Sequence, residues 1–226
     1  YRLTGKMAMI GVAGNDIDEN RVFIYLSTHF REKGLPVPEI YAADSSCGYY
    51  LQEDLGTVAL FDVIAPGRID GEWTEDIFEI LKSTVRRLPD LQWRGIAGLD
   101  LSRLPVPSMD RRSIMWDLNY FKYCFLKPSG ITFNEGALED DFDKLTSQIL
   151  SMDNHVFMYR DFQSRNVMVR DGEPWFIDFQ GGRCGPCLYD VASFLWQARA
   201  CYPVELRERL INEYIDSASR YEKIDA

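Results

Sequence analysis

Between Val156 and Asp178 the sequence sets out three short apolar runs punctuated by a tight turn, and no other stretch restricts the fold as much. Residues 156–159, 166–169 and 175–178 each read as a strand. The last two flank Asp171-Gly172, a pair suited to a two-residue hairpin because both turn positions demand a positive φ. Three oxygen-bearing side chains fall at the ends of these runs. Asp161 follows the first strand, Asn166 comes five residues later, and Asp178 closes the third. The hairpin folds Asp178 back beside Asn166. Each residue alone has an ordinary explanation, since Asp and Asn cap turns. The ordered series of strand, loop, strand, turn and strand is what points to an assembled site.

The rest of the chain supplies the frame. Runs at residues 1–4 and 7–12 are expected to pair as a hairpin across Gly5. Residues 16–33 read as a helix with Glu19, Val22, Phe23, Leu26 and Phe30 on one face and Gly34 as its stop. Residues 49–53 alternate as a strand. A helix is expected after Thr74, with Ile77, Ile80, Leu81, Val85 and Leu88 as its stripe and Pro89 as its end. An aromatic helix over 110–126, another over 135–152, and two more over 188–200 and 204–221 complete the pattern. The order is β-rich with one helix, then mainly helical with a hairpin insert, which is an α+β arrangement. The composition shifts after Leu55-Gly56, dividing the chain into residues 1–56 and 57–226.

Charge narrows the partners. Twenty-five Lys and Arg stand against 35 Asp and Glu, a net charge of −10. That balance offers no overall attraction to nucleic acid or to an anionic membrane. The longest apolar runs are too short to cross a bilayer. Five dispersed cysteines fit a reduced, cytoplasmic protein better than a disulfide scaffold. The chain starts at Tyr1 inside a strand-like run and stops at Ala226 just after a helical pattern. It therefore reads as a fragment, truncated at least at its N-terminus, of a chain with room for a further domain.

Asp161, Asn166 and Asp178 match the protein-kinase spacing of a catalytic Asp, an Asn five residues on, and the Asp of a D-F-x triplet, here Asp178-Phe179-Gln180. Phosphoryl transfer asks chiefly for positioning and for neutralisation of phosphate charge. Asp161 can accept the proton of an attacking hydroxyl. Asn166 and Asp178 offer the oxygens that Mg²⁺ prefers.

Further segments extend the match. They are Gly34-Leu35-Pro36-Val37-Pro38-Glu39-Ile40, Leu51-Gln52-Glu53-Asp54-Leu55-Gly56, and Gly185-Pro186 with Tyr189-Asp190. With these, the chain resembles the aminoglycoside phosphotransferase and choline kinase family, and within it the bacterial kinases of N-acetylmuramate and N-acetylglucosamine. The resemblance implies a protein-kinase-like bilobal fold, with residues 1–56 as the small lobe and 57–226 as the helical lobe. It implies ATP and Mg²⁺, and a sugar or other alcohol as phosphate acceptor. Asp161 would be the base, and Asn166 and Asp178 the metal ligands. Gln52, Glu53, Asp54 and Leu55 would form the adenine hinge. Asp190 would brace the catalytic loop, and Glu19 would orient phosphate-binding groups. For Glu19 a first-turn acid favoured by the helix dipole is the alternative. Asp117 and Tyr120 would touch the acceptor, or else belong to the core. Arg165 would meet a phosphate or Asp190.

The departures matter as much. The family's phosphate-covering loop is not present. Met9-Ile10-Gly11 occupies the region of the phosphate-pairing Lys, with Lys6 a poor substitute, and Tyr159 replaces the usual His. These keep a non-catalytic nucleotide-binding domain open as a rival. Kinases of choline, homoserine or an aminoglycoside stay open as well; an aminoglycoside would want an acidic cleft, and the run Glu139-Asp140-Asp141 with Asp143 would supply it or else be the solvated start of a helix. Cys184-Gly185-Pro186-Cys187 has a redox spacing, but the order of elements around it does not fit a thioredoxin site. No second Cys or His pair completes a zinc site. His29 reads as helix packing and His155 as the start of a strand.

Overall fold

Asp16 opens the first helix, α1 (Ile17–Glu32), by accepting a hydrogen bond from the Glu19 N–H at 3.0 Å. The computed structural model describes residues 1–3, 8–152 and 155–222. Gly34, at φ +68°, turns the chain out of the helix. Val22, Phe23, Leu26 and Phe30 are buried, as the 3.6-residue period requires. Glu19 is not on that buried face. It is exposed in the first turn, its side chain reaching across to Gln180.

A four-stranded antiparallel sheet in the order β1-β2-β4-β3 accompanies α1. Its strands are β1 (Arg2–Leu3), β2 (Met9–Ala13), β3 (Ile40–Ala43) and β4 (Tyr49–Glu53). β2 and β4 pair from Met9↔Glu53 to Ala13↔Tyr49. β3 carries no signal in the sequence, because a bulge between Ile40 and Ala42 breaks its alternation. The turn expected at Gly5, with Lys6, lies outside the described residues.

The helical part comprises α2 (Leu60–Val63), α3 (Ala65–Asp70), α4 (Glu75–Pro89), α5 (Arg111–Phe121), α6 (Glu135–Leu150), α7 (Leu188–Leu195) and α8 (Val204–Ala218). α2 and α3 are too short to show a period. α4 buries its expected stripe and ends at Pro89 as expected, although the coil does not stop there. The chain continues through Pro89 into a π-helical turn, Asp90–Arg94. A proline forfeits one intrahelical bond while keeping a helical φ, and the wider turn after it carries the coil onward. That turn leaves Gln92 fully buried. α5 also passes into a π-helical turn, Lys122–Leu126, and α7 stops at Leu195, five residues short of the expected end.

The expected hairpin is β6 (Val167–Arg170) and β7 (Glu173–Phe176), in register from Val167↔Phe176 to Arg170↔Glu173. Asp171 and Gly172 take φ +53° and +77°, the two positive values of a type I′ turn. β5 (Val156–Met158) pairs instead with β8 (Arg183–Gly185), a three-residue strand whose polar sequence hides it. Cys184 therefore sits in a strand, and burial pushes the Cys187 thiol up, the reverse of a redox-active cysteine. No helix among the described residues is long and apolar enough to cross a membrane.

Phe30 ties these parts together. Its ring meets Phe157 of β5 at 4.9 Å and Phe179, beyond β7, at 5.3 Å, both edge-on. Phe23, two turns earlier on α1, stacks on Phe179 at 5.1 Å. His29 points its Nε2 at the Gly95 carbonyl, 2.8 Å away, and burial lowers its pKa. Phe30→Ala removes a fully buried ring at this junction and is expected to cost about 3–5 kcal/mol in denaturant unfolding. A loss under about 1 kcal/mol would show that α1 is not held through this contact.

Candidate active site

The loop after β5 starts with an unusual backbone. Arg160 takes φ +76°, a conformation that costs a non-glycine residue energy. It is held there by Asp190, from the first turn of α7. The Asp190 carboxylate accepts from the N–H of Tyr159 and of Arg160, each at 2.9 Å, and from Gln92 Nε2 at 3.2 Å. Asp190 has no solvent exposure, and burial, working against those three donors, pushes its pKa up to about 7. Gln92 is fixed in turn: Tyr214 donates to its Oε1 at 2.8 Å, and its Nε2 also reaches the Cys187 carbonyl at 2.8 Å.

Tyr159 takes up the place of the expected His as a brace. Its buried hydroxyl donates to the Ile177 carbonyl and lies 3.3 Å from the Asn166 carbonyl. The two strand ends that carry Asn166 and Asp178 are thereby clamped. Burial holds the Tyr159 phenol well above its usual pKa, so it stays a donor. Ser164 is pinned by Gln197, through both its N–H and its hydroxyl.

Within this frame the three acidic and amide groups converge. Asn166 donates its Nδ2 to the Asp161 carbonyl at 2.9 Å, which leaves its amide oxygen for another partner. Asp178 sits at φ +67°. Its Oδ1 accepts from Gln180 Nε2 at 2.8 Å, and the same amide donates to Glu19 at 2.7 Å. Gln180 thus couples α1 to Asp178, where no cation of β2 does so. A cleft of about 460 Å³ is walled by Tyr50, Gln52, Asn166 and Asp178. A second, of about 380 Å³, is walled by Asp16, Glu19, Asp161, Asp178 and Gly181. Asp178 belongs to both. An apolar pocket of about 430 Å³ on the small sheet, among Gly11, Ala42 and Tyr49, contains none of these groups.

Asn166 and Asp178 suit a magnesium ion. Mg²⁺ takes one or two side-chain oxygens and completes its shell with water and phosphate, and both residues face the same cleft. No group of three or more His, Cys, Asp or Glu among the described residues forms a self-sufficient metal site.

These features coincide with sequence relationships. A family model described as the phosphotransferase enzyme family matches residues 18–225. The chain belongs to that family. It is 26% identical over 206 residues to an N-acetylmuramate/N-acetylglucosamine kinase of Pseudomonas aeruginosa, covering 89% of this chain and 56% of that protein. A protein of the same description from Neisseria meningitidis is 27% identical, with 89% and 58% covered. The chain therefore spans little more than half the length of these relatives. Its fold is that of a choline kinase from Streptococcus pneumoniae, with a TM-score of 0.61 at 12% identity over 94% of this chain and 69% of that one.

The remaining expected residues fall in different places. Glu53 pairs with Arg170, and Asp54 accepts from Arg2 at 2.8 Å, so both hinge carboxylates are engaged in the frame. Leu55 is buried. Gln52 keeps a buried Oε1 without a partner at the cleft wall. Asp117 accepts from Arg160 at 3.2 Å and so lies beside the catalytic loop. Tyr120 is 72% exposed and not part of the core. Arg165 does not reach Asp190, which is enclosed by other donors; it lines a separate pocket with Phe61 and Arg199. The acidic run on α6 is not at the cleft: Glu139 holds Lys122 and Asp143 holds Arg111. The cleft acids are Asp16, Asp18 and Glu19. Gln92, Gln180, Gln197 and Tyr214 carry no motif in the sequence.

Asp190→Asn keeps the volume but sets an amide NH₂ against a donor, and is expected to cost about 1–3 kcal/mol. Folded Asp190, with its pKa raised to about 7, binds its proton more tightly than it does in the unfolded chain, where its ordinary value is 3.8. Its contribution is therefore full below about pH 4 and is lost as the pH rises through 7. Urea unfolding between pH 5 and 8 should show wild-type stability falling more steeply with pH than that of the variant. Parallel slopes would refute the assignment.

Proposed function

We propose that this chain forms the catalytic part of an ATP-dependent kinase that phosphorylates the anomeric hydroxyl of an amino sugar, N-acetylmuramate or N-acetylglucosamine. The observation that carries this reading is Asp178 standing between two clefts, with Asn166 in one and Asp161 in the other. Nucleotide phosphates fit the first and an acceptor hydroxyl the second. The amino-sugar acceptor is inferred from what the similar Pseudomonas and Neisseria proteins are named for.

In this reading Asp161 accepts the proton of the sugar hydroxyl as its oxygen attacks the γ-phosphorus. The bond to the bridging oxygen breaks and ADP leaves with those electrons. Asn166 and Asp178 would hold Mg²⁺, which neutralises charge on the transferring phosphoryl group. The adenine would lie along residues 52–55, where nothing among the described residues accepts from the Leu55 N–H. Cys47, Cys124, Cys187 and Cys201 are free thiols, which suits a reducing cytosol. Met9-Ile10-Gly11, standing where the family's phosphate-pairing Lys is expected, favours one rival, a non-catalytic nucleotide-binding domain.

The test is ADP release by the full-length protein with Mg-ATP and a panel of N-acetylglucosamine, N-acetylmuramate, choline, homoserine and kanamycin. Turnover is expected with an amino sugar, and Asp161→Asn should lower kcat by about 100-fold or more while ATP still binds. Silence across the panel with ATP bound would establish the non-catalytic reading instead.

A further inference from the structure

Arg183 is a charge with no evident structural use. It lies on β8 opposite Met158 and is only 6% exposed. A guanidinium has five N–H donors. Here Nη1 reaches Ser113 Oγ at 3.4 Å, Nη2 reaches the Gly181 carbonyl at 3.3 Å, and Nε has no partner. Both contacts are long, and neither acceptor is charged. Among the described residues Arg183 has no ion pair. The nearby carboxylates are committed elsewhere: Asp117 to Arg160, and Asp110 to the N–H and hydroxyl of Ser113 at the start of α5. Burial first, and then the neighbouring Arg160 charge, disfavour the protonated guanidinium, and the more distant Asp117 and Asp110 offset them only in part. Such a burial is costly unless an anion completes it.

Its position says which anion. Gly181, the residue it is anchored to, walls the Asp161 cleft, and a Cβ built on Gly181 would stand 3.8 Å from Asp161 Oδ2. Arg160 takes the carboxylate of Asp117, and no carboxylate among the described residues comes within ion-pair distance of Arg183, so the Arg183 fork has no anion on its own donors. We infer that Arg183, with Arg160 beside it, receives a single carboxylate carried by the acceptor, so that the preferred substrate is an acidic sugar over its neutral counterpart. This rests on the sugar-kinase reading above and adds the residue that sets its specificity. A guanidinium fork matches a carboxylate in geometry as well as charge.

The decisive comparison needs no mutation. Full-length enzyme is assayed with N-acetylmuramate and with its methyl ester, which has the same ring and no charge. The acid is expected to exceed the ester about 10–100-fold in kcat/KM, the range of one charge-assisted hydrogen bond. In Arg183→Met the acid-to-ester ratio should collapse toward one, and Arg183→Lys should restore part of it. Equal use of acid and ester by the wild type, or a ratio unmoved in Arg183→Met, overturns the inference while leaving the kinase reading intact. If neither sugar is phosphorylated, the kinase reading falls by itself. Calorimetric titration of acid against ester then decides the anion site, and equal or absent heats for both overturn it.

Discussion

Two adjacent N–H groups, of Tyr159 and Arg160, leave β5 with no strand to receive them, and a single buried carboxylate takes both. Much of the site depends on that arrangement. It fixes Arg160 in a left-handed conformation, and thereby sets where Asp161 begins. The carboxylate is in turn supported from the π-helical turn after Pro89, through Gln92, and from α8, through Tyr214. Elements far apart in the chain thus bear on one peptide. The energy stored in the strained loop is modest, of order 1–3 kcal/mol per residue, and lies within reach of a few buried hydrogen bonds.

The second anchor is aromatic. Phe179 is enclosed by Phe23, Phe30 and Tyr159, so Asp178 beside it is held between α1 and the catalytic loop. This packing also brings Glu19 within reach of Gln180. The link between α1 and Asp178 is therefore an amide relay between two carboxylates. It aligns the groups without adding positive charge.

Local chemistry made the hairpin, α1, the stripe of α4 and the spacing of Asp161, Asn166 and Asp178 legible in the sequence. Asp171-Gly172 specifies its turn, and apolar residues every three or four positions specify their helices. What stayed hidden depends on distant partners. β8 is a strand only because β5 lies beside it. Pro89 reads as a stop unless the wider turn after it is known. Glutamines 92, 180 and 197 look like surface residues until the fold surrounds them. The α6 acids read either as a cleft or as a solvated helix start, and the second holds: lysine and arginine neighbours claim Glu139 and Asp143, while the further acids of the cleft come from the first turn of α1 and the residue that caps it. The side-chain inventory of a site is readable when its members share a motif, and unreadable when only packing convenes them.

β8 begins at Arg183, five positions after Asp178, and Gly182 between them packs so tightly that a Cβ there would stand 2.2 Å from Phe157. Many kinases place a long segment at this point, which order and disorder can swing to switch catalysis. A tether this short has no slack to swing. The short β7–β8 connection keeps Asp178 next to β5 and the loop that carries Asp161. Any change at this edge of the cleft has to come from what binds in it and not from a swinging segment after Asp178.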